Sequence, residues 1–170
     1  ANNASFVYND FMAKDPLVAT IGKLLSSRGW RLTVAESCTG GLLADRITDV
    51  PGSSQYFVGG FVAYAYEAKV NLLGVEWPIL EKYGAVSEEI VLQMAHGARC
   101  ALDADIALSI SGIAGPGGAT PDKPIGLTWI GLCTPNHEEA RRFIWQGDRR
   151  SNKEQSAHAA LNLLAEYLES

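Results

Sequence analysis

Residues 32–47 read LTVAESCTGGLLADRI, and this stretch contains the transition that decides the fold. Its first four residues form a short apolar run that predicts a buried strand. Residues 36–41 supply the Ser, Thr and Gly residues of a turn. A helix is predicted next, because apolar side chains recur at its spacing at Leu42, Leu43 and Ile47. A strand that turns directly into a helix is typical of an α/β protein.

The rest of the chain continues this alternation. Helices are predicted from Asp15-Pro16 to Gly29, over 67–73, over 78–83, after Ser87 and after Gly147-Asp148. Strands are predicted over 59–66, 106–110, 125–133 and 140–145. The pattern predicts a three-layer α/β/α sandwich whose mixed central sheet has helices on both faces. We expect residues 15–170 to form one domain, preceded by a leader over residues 1–14.

Composition narrows the class of protein. The 170 residues carry 14 Lys+Arg against 19 Asp+Glu, a net charge of −5, with no basic run, which argues against a nucleic-acid partner. No membrane span or secretory signal is visible, so we expect a cytoplasmic protein. Cys38, Cys100 and Cys133 are far apart without a CxxC motif, and there are three histidines. This usage argues against a disulfide framework and against a zinc site, and we expect no metal and no cofactor.

The turn after the first strand is the first candidate for chemistry. The Ser37 hydroxyl can project into a crevice beyond the carboxyl end of that strand. The backbone N–H groups of Cys38, Thr39, Gly40 and Gly41 can hold an anion or an oxyanion at the N-terminus of the next helix. Two alternatives stay open at this point. The segment can be a tight turn without chemistry, or Cys38 can be the nucleophile if its pKa is lowered and a base lies near.

Tyr64 and Lys69 form the second candidate, at the junction of a predicted strand and helix. A lysine buried in a pocket can lose its proton near neutral pH and act as a base. A tyrosine hydroxyl can relay a proton. The alternative is ordinary, a solvated helix lysine and a strand aromatic.

Two further loops can bind a ligand. The sequence SGIAGPGG at 111–118 does not match a dinucleotide fingerprint, but its glycines let the backbone approach a flat or phosphorylated ligand. Gly147-Asp148-Arg149-Arg150, with Lys153 one turn later, offers cations for a phosphate at a helix start. A plain surface loop and a solvated helix start are the respective alternatives.

Taken together in order, these segments resemble the CinA C-terminal domain family, the nicotinamide-nucleotide amidases also called PncC. The resemblance spans roughly residues 16–168. It rests on ESCTGG at 36–41, PGSS at 51–54, EAK at 67–69, LGV at 73–75, GAVSEE at 84–89, SGIAGPGG at 111–118, KPIG at 123–126 and GDR at 147–149.

The resemblance implies a hydrolase that deamidates nicotinamide mononucleotide to nicotinate mononucleotide and ammonia, in a stand-alone form that assembles as a homo-oligomer. Its nucleophile falls on Ser37, assisted by Lys69 and Tyr64. Oxyanion and substrate contacts are expected at Cys38, Thr39, Gly40, Gly41, Ser111, Gly112, Gly115, Gly117, Arg149 and Lys153. Two rival functions are a nucleotide-binding module without turnover and a redox or cysteine-dependent enzyme.

Overall fold

The computed structural model describes residues 15–170, so the predicted leader at 1–14 lies outside the described residues. The helices are α1 (Pro16–Arg28), α2 (Leu42–Thr48), α3 (Tyr66–Leu73), α4 (Trp77–Tyr83), α5 (Glu88–Ala101) and α6 (Arg149–Glu169). The strands are β1 (Leu32–Glu36), β2 (Phe57–Val62), β3 (Ile106–Gly112), β4 (Leu127–Cys133) and β5 (Glu138–Ile144). A short 3₁₀ turn, Ser53–Gln55, precedes β2.

The five strands form one mixed sheet in the order β2-β1-β3-β4-β5. β1 is parallel to both β2 and β3, whereas β4 is antiparallel to β3 and to β5. The parallel strands are connected through helices and the antiparallel ones through loops, as their geometry requires. The mixed sheet predicted from the sequence is therefore confirmed.

Alternate residues of the central strands point to two separate cores. Leu32 and Val34 of β1 pack on one face of the sheet with apolar residues of α1, α2 and α6. Ala35 of β1 points to the opposite face, which is covered by apolar residues of α3, α4 and α5. Helices cover both faces, which confirms the predicted three-layer sandwich.

Helix α3 lies unusually close to α5, and this contact fixes the helix that carries Lys69. A Cβ atom added at Gly97 of α5 would lie 1.8 Å from the carbonyl oxygen of Leu73, the last residue of α3. Only a residue without a side chain permits this approach. The position of α3 relative to the sheet therefore depends on Gly97.

The boundaries differ from the prediction mainly at β2. This strand ends at Val62, so Tyr64 lies in the loop that follows it and not in the predicted strand over 59–66. The ladder ends because the Ala63 N–H donates to the Glu36 carbonyl at the last residue of β1, after which the chain turns into α3. Among residues 15–170, no helix combines the length and apolar character that a bilayer crossing requires.

Candidate active site

The site lies where the chain leaves two adjacent parallel strands in opposite directions. After β1 the chain enters α2 on one face of the sheet, and after β2 it enters α3 on the other. Such a divergence opens a crevice at the carboxyl ends of the strands, which is where ligands bind in open α/β sheets. Ser37 follows β1 and Lys69 follows β2. Both side chains therefore reach the same crevice.

Hydrogen bonds to both neighbouring strands hold the turn that carries Ser37. The Ser37 N–H donates to the Ile110 carbonyl of β3 at 2.9 Å. On the other side, the Ala63 N–H donates to the Glu36 carbonyl at 2.8 Å. The backbone at Ser37 is therefore an extension of the sheet, which gives the hydroxyl a defined direction.

Lys69 is the most unusual residue of the site, since its side chain is only 1% exposed. Its Nζ atom donates to Ser37 Oγ at 3.0 Å, to the Ala63 carbonyl at 2.8 Å and to the Tyr64 carbonyl at 3.1 Å. These three acceptors match the three N–H bonds of an ammonium group. The predicted pairing of Ser37 with Lys69 is thus present in the geometry.

The three acceptors are not equivalent once the lysine is neutral. A neutral amine keeps two N–H donors and gains one lone pair. The carbonyls of Ala63 and Tyr64 can only accept, so they retain the two donors. The Ser37 hydroxyl can reverse its role and donate to the lone pair. Loss of one proton from Lys69 therefore directs its basic electron pair at Ser37 Oγ.

Burial makes that neutral form accessible. It lowers the pKa of Lys69 from its usual 10.5 to about 8, and the nearby Cys38 partly opposes the change. Desolvation disfavours the charged form of a lysine, and the contacts of Nζ are all to uncharged oxygens. A pKa near working pH is what a general base needs.

Glu36, which the sequence reading did not select, occupies the helix N-terminus beside Ser37. Its buried carboxylate accepts from the N–H groups of Gly41 and Leu43, both at 3.0 Å, and of Ala44 at 2.8 Å. An anionic side chain here satisfies amides that α2 leaves unpaired and interacts favourably with the helix dipole. The Ser37-containing turn is thereby tied to α2.

This cap corrects the predicted oxyanion site. The Gly41 N–H is taken by Glu36, and the Gly40 N–H donates to the Ser37 carbonyl at 3.1 Å. The N–H groups of Cys38 and Thr39 make no hydrogen bond to a backbone or side-chain oxygen within residues 15–170. The N–H groups of Gly40 and Gly41 are therefore already occupied, and the oxyanion role remains a prediction that Cys38 and Thr39 can fill without breaking a hydrogen bond.

Cys38 has the properties of a structural thiol. It is buried, and burial raises its pKa from the usual 9.0 to about 11. Its sulfur packs against Gly112, where an added Cβ would lie 3.1 Å from Sγ. A nucleophilic cysteine needs a lowered pKa, so the geometry favours Ser37 over Cys38 as the nucleophile.

Tyr64 contributes differently from the prediction. Its backbone carbonyl, not its hydroxyl, orients Lys69. The side chain is 61% exposed, and its hydroxyl accepts from Arg149 Nη2 at 3.4 Å. Arg149 Nη1 also donates to the Gly115 carbonyl at 2.7 Å. Tyr64 and Arg149 therefore form one rim of the cavity, joined to the loop over 111–118.

The glycine-rich loop over 111–118 forms a further wall of the cavity, which Gly115, although predicted, does not line. Ser111 and Gly112 line the cavity, and the Ser111 hydroxyl donates to the Ala85 carbonyl at 2.7 Å. Gly117 does not line it, and a Cβ added there would meet nothing within 4 Å. Asn152, missed in the sequence, holds the loop by donating to the Ala114 carbonyl at 3.1 Å.

Lys153 lies beside the Ser37-containing turn without lining the cavity. A Cβ added at Gly40 would be 3.8 Å from Lys153 Nζ. Its charge also acts on Cys38, where it lowers the pKa of the thiol. The cation predicted from the final helix is therefore close to the Ser37-containing turn.

The cavity between these residues measures about 190 Å³ and is lined by Ser37, Cys38, Tyr64, Lys69, Ala85, Val86, Ser111, Gly112, Ala114 and Arg149. A larger cavity of about 850 Å³ lies elsewhere, between α1 and the segment before β2. Within residues 15–170, the larger cavity has no hydroxyl hydrogen-bonded to a lysine or histidine. The Ser37–Lys69 pair therefore identifies the smaller cavity as the candidate active site.

Sequence comparison agrees with the resemblance drawn from the motifs. The family model described as the CinA C-terminal domain matches residues 14–168. A putative competence-damage inducible protein of Moorella thermoacetica is 50% identical over 150 residues, which cover 88% of this chain and 36% of that protein. A CinA-like protein of Chloroherpeton thalassium is 50% identical over 157 residues, which cover 90% of this chain and 37% of that protein. The chain thus spans little more than a third of the length of these curated relatives.

Solved structures show the same fold. The competence damage-inducible protein A of Klebsiella pneumoniae superposes with a TM-score of 0.87 at 37% sequence identity, covering 90% of this chain and 95% of that one. A competence/damage inducible protein of Agrobacterium tumefaciens gives a TM-score of 0.87 at 36% identity, and the match covers 91% of this chain and 94% of that one. These names state no reaction, so the activity has to be argued from the site.

Proposed function

The chain belongs to the CinA C-terminal domain family, and we propose that it is an amidohydrolase that converts nicotinamide mononucleotide to nicotinate mononucleotide and ammonia. The observation that carries this proposal is the 3.0 Å hydrogen bond between Ser37 Oγ and the buried Lys69 Nζ. A hydroxyl paired with a base of lowered pKa is the arrangement that nucleophilic amide hydrolysis uses. This activity belongs to pyridine nucleotide salvage, and we propose the cytoplasm as its location.

In the first step the Ser37 oxygen attacks the carboxamide carbon while neutral Lys69 takes the hydroxyl proton. A C–O bond forms, and the carbonyl π electrons move to oxygen. The Lys69 ammonium then gives its proton to the amide nitrogen, the C–N bond breaks, and ammonia leaves. The product of this half-reaction is an ester of Ser37, and Lys69 is neutral again.

The second step restores the enzyme with the same two groups. Lys69 removes a proton from a water molecule, and the resulting hydroxide attacks the ester carbon. The C–O bond to Ser37 breaks, and Lys69 returns the proton to the Ser37 oxygen. The product is released as the carboxylic acid, which loses its proton to the solvent or to the ammonia already released and becomes the carboxylate. One lysine suffices for both steps because its pKa lies close to working pH.

The negative oxygen that forms in both steps needs hydrogen-bond donors. We propose the N–H groups of Cys38 and Thr39, which directly follow the nucleophile. They make no hydrogen bond to a protein oxygen within residues 15–170. Loss of one such donor typically raises the barrier by about 2.7–4 kcal/mol.

The size of the cavity suggests how the nucleotide binds. At about 190 Å³ it is smaller than the roughly 300–1,000 Å³ of typical small-molecule pockets. We propose that it takes the carboxamide end of the substrate, and that the ribose phosphate extends over the rim towards Arg149. Two guanidinium donors of Arg149 serve Gly115 and Tyr64, which leaves further N–H groups for a phosphate.

The direct test is ammonia release from nicotinamide mononucleotide by the wild type beside Ser37→Ala. We expect no turnover in the variant, because the attacking hydroxyl is removed. The variant should still fold, because the side chain is small and its loss leaves the sheet intact. Cys38→Ala is the matched control, since it removes the neighbouring potential nucleophile, and it should keep the Ser37-dependent reaction. Nucleotide binding without ammonia release by the wild type would instead identify a binding module.

A further inference from the structure

Three side chains with metal-binding atoms meet at the junction of α5 with the β4–β5 hairpin. Cys133 ends β4, Glu138 begins β5, and the two residues are directly paired in the sheet. His96 approaches from α5. Its Nδ1 atom lies 3.9 Å from Glu138 Oε1, and Cys133 Sγ lies 3.9 Å from the same oxygen. All three ligand atoms are within 4.8 Å of one another, and none of these residues lines the candidate active site.

We propose that His96, Cys133 and Glu138 bind one Zn²⁺ ion. An imidazole nitrogen, a thiolate and a carboxylate are the ligand types that zinc takes in proteins. Tetrahedral coordination at zinc's usual bond lengths places such atoms roughly 3.3–3.6 Å apart. The two 3.9 Å separations therefore need to shorten by about 0.3–0.6 Å, and the third, which is at most 4.8 Å, by about 1.2–1.5 Å at most. Cys133 is a buried anchor, whereas His96 and Glu138 are about half exposed and free to adjust.

The neighbours of His96 prepare the ring for this role. Cys100 lies one helical turn further along α5, and its sulfur is 3.6 Å from His96 Nε2. A hydrogen on Nε2 directed at that sulfur leaves the lone pair on Nδ1, the nitrogen that faces Glu138. Partners of this kind fix the tautomer and orientation of metal-binding histidines. Cys100 is therefore a positioning residue for the zinc ligand.

The charges around the site are also suited to a divalent cation. A bound metal ion takes the place of the Cys133 thiol proton, because the ligand to zinc is the thiolate. Thiolate and carboxylate then give two negative charges beside one arginine.

A cavity supplies room for a fourth ligand. It measures about 220 Å³, and its lining includes His96 and Glu138 together with Gly74, Glu76 and Gln93. Three protein ligands with one open position is the coordination of zinc sites that hold a water molecule. The ligands come from three separate elements, which is why the spacing of cysteines and histidines in the sequence argued against zinc.

The test is titration of metal-free, tag-free protein with zinc by calorimetry, beside the absorption spectrum with Co²⁺. We expect one ion per chain and a thiolate-to-cobalt charge-transfer band. Cys133→Ser should abolish the band. Glu138→Gln should weaken zinc binding at least about tenfold, and Cys100→Ser about 10–100-fold, as for other outer partners. His158→Ala, a histidine outside the cluster, should change neither measurement.

A second measurement covers the case in which Cys133→Ser does not fold. Glu138 is exposed, so Glu138→Gln is expected to fold, and zinc should raise the melting temperature of the wild type but not of this variant. The proposal is overturned if the wild type takes up no zinc saturably, or if Glu138→Gln and Cys133→Ser bind one ion with unchanged affinity.

Discussion

The acidic limb of the pH–rate profile is the sharpest prediction that the site makes, because it depends on one buried amine. With its usual pKa of 10.5, Lys69 would be about 0.3% neutral at pH 8. With the pKa of about 8 that burial produces, about half of the molecules carry the neutral base at that pH. Burial thus raises the fraction of molecules that hold a neutral Lys69 at pH 8 roughly 150-fold.

The expected result is a kcat/KM that falls about tenfold for each pH unit below pH 8 and levels off above it, since kcat/KM reports groups of the free enzyme. The measurement is ammonia release from nicotinamide mononucleotide at constant ionic strength. Readings start above pH 6.5, because a phosphate monoester itself titrates near pH 6. Lys69→Met should lower the rate by about 10²–10⁴-fold. It should also remove the fall in rate below pH 8.

Lys123 offers a matched control. Its Nζ also donates to two backbone carbonyls, those of Tyr83 and Val86, and burial likewise lowers its pKa. It does not line the candidate active site. Lys123→Met should therefore keep the limb at the same pH. A flat profile from pH 6.5 to 8.5 in the wild type, or an unchanged limb in the residual activity of Lys69→Met, would refute Lys69 as the base.

Three further predictions concern stability and substrate recognition. Glu36→Gln should lower the free energy of unfolding by about 1–3 kcal/mol in urea titrations, because an amide cannot accept from all three N–H groups of α2; unchanged stability would contradict the cap. Arg149→Ala should raise KM for nicotinamide mononucleotide more than for nicotinamide riboside, and equal effects would place the phosphate elsewhere. Between pH 8 and 10.5 unfolded Lys69 is protonated and folded Lys69 is not, so stability should rise with pH in the wild type; Lys69→Met should lack this contribution, and an identical slope in both proteins would contradict it.

Much of the fold could be predicted because local patterns and tertiary packing agree. Asp15 caps α1 as expected, with its carboxylate accepting from the Leu17 N–H at 3.1 Å. Asp148 caps α6 in the same way. The end of β2 could not be predicted, since Tyr64 has strong strand propensity. The strand ends where it has paired with the last carbonyl of β1. Such pairing between strands cannot be deduced from local propensity.

For the candidate site, the sequence indicated residues that lie together in the structure, but it did not indicate the contacts that position them. The motifs selected Ser37, Lys69 and Tyr64, and the structure brings the first two into contact. The functional group that Tyr64 presents to Lys69 is its carbonyl, which no side-chain pattern reveals. Glu36 lies inside the quoted motif. Its role as a cap depends on the position of the N-terminus of α2 relative to β1, which the motif does not show. Backbone acceptors and helix ends become visible only once the elements are packed.

The charge balance of the site explains why a lysine can be the base. A carboxylate beside Lys69 would favour the ammonium form and raise its pKa. The acidic residue nearest to Ser37 in the chain is Glu36. Its carboxylate accepts hydrogen bonds from three backbone N–H groups at the start of α2. The pKa of Lys69 accordingly responds to burial and to Cys38, not to Glu36. The carboxylate that caps α2 therefore leaves the pKa of Lys69 to be set by burial, and burial is what allows a neutral lysine to face the Ser37 hydroxyl.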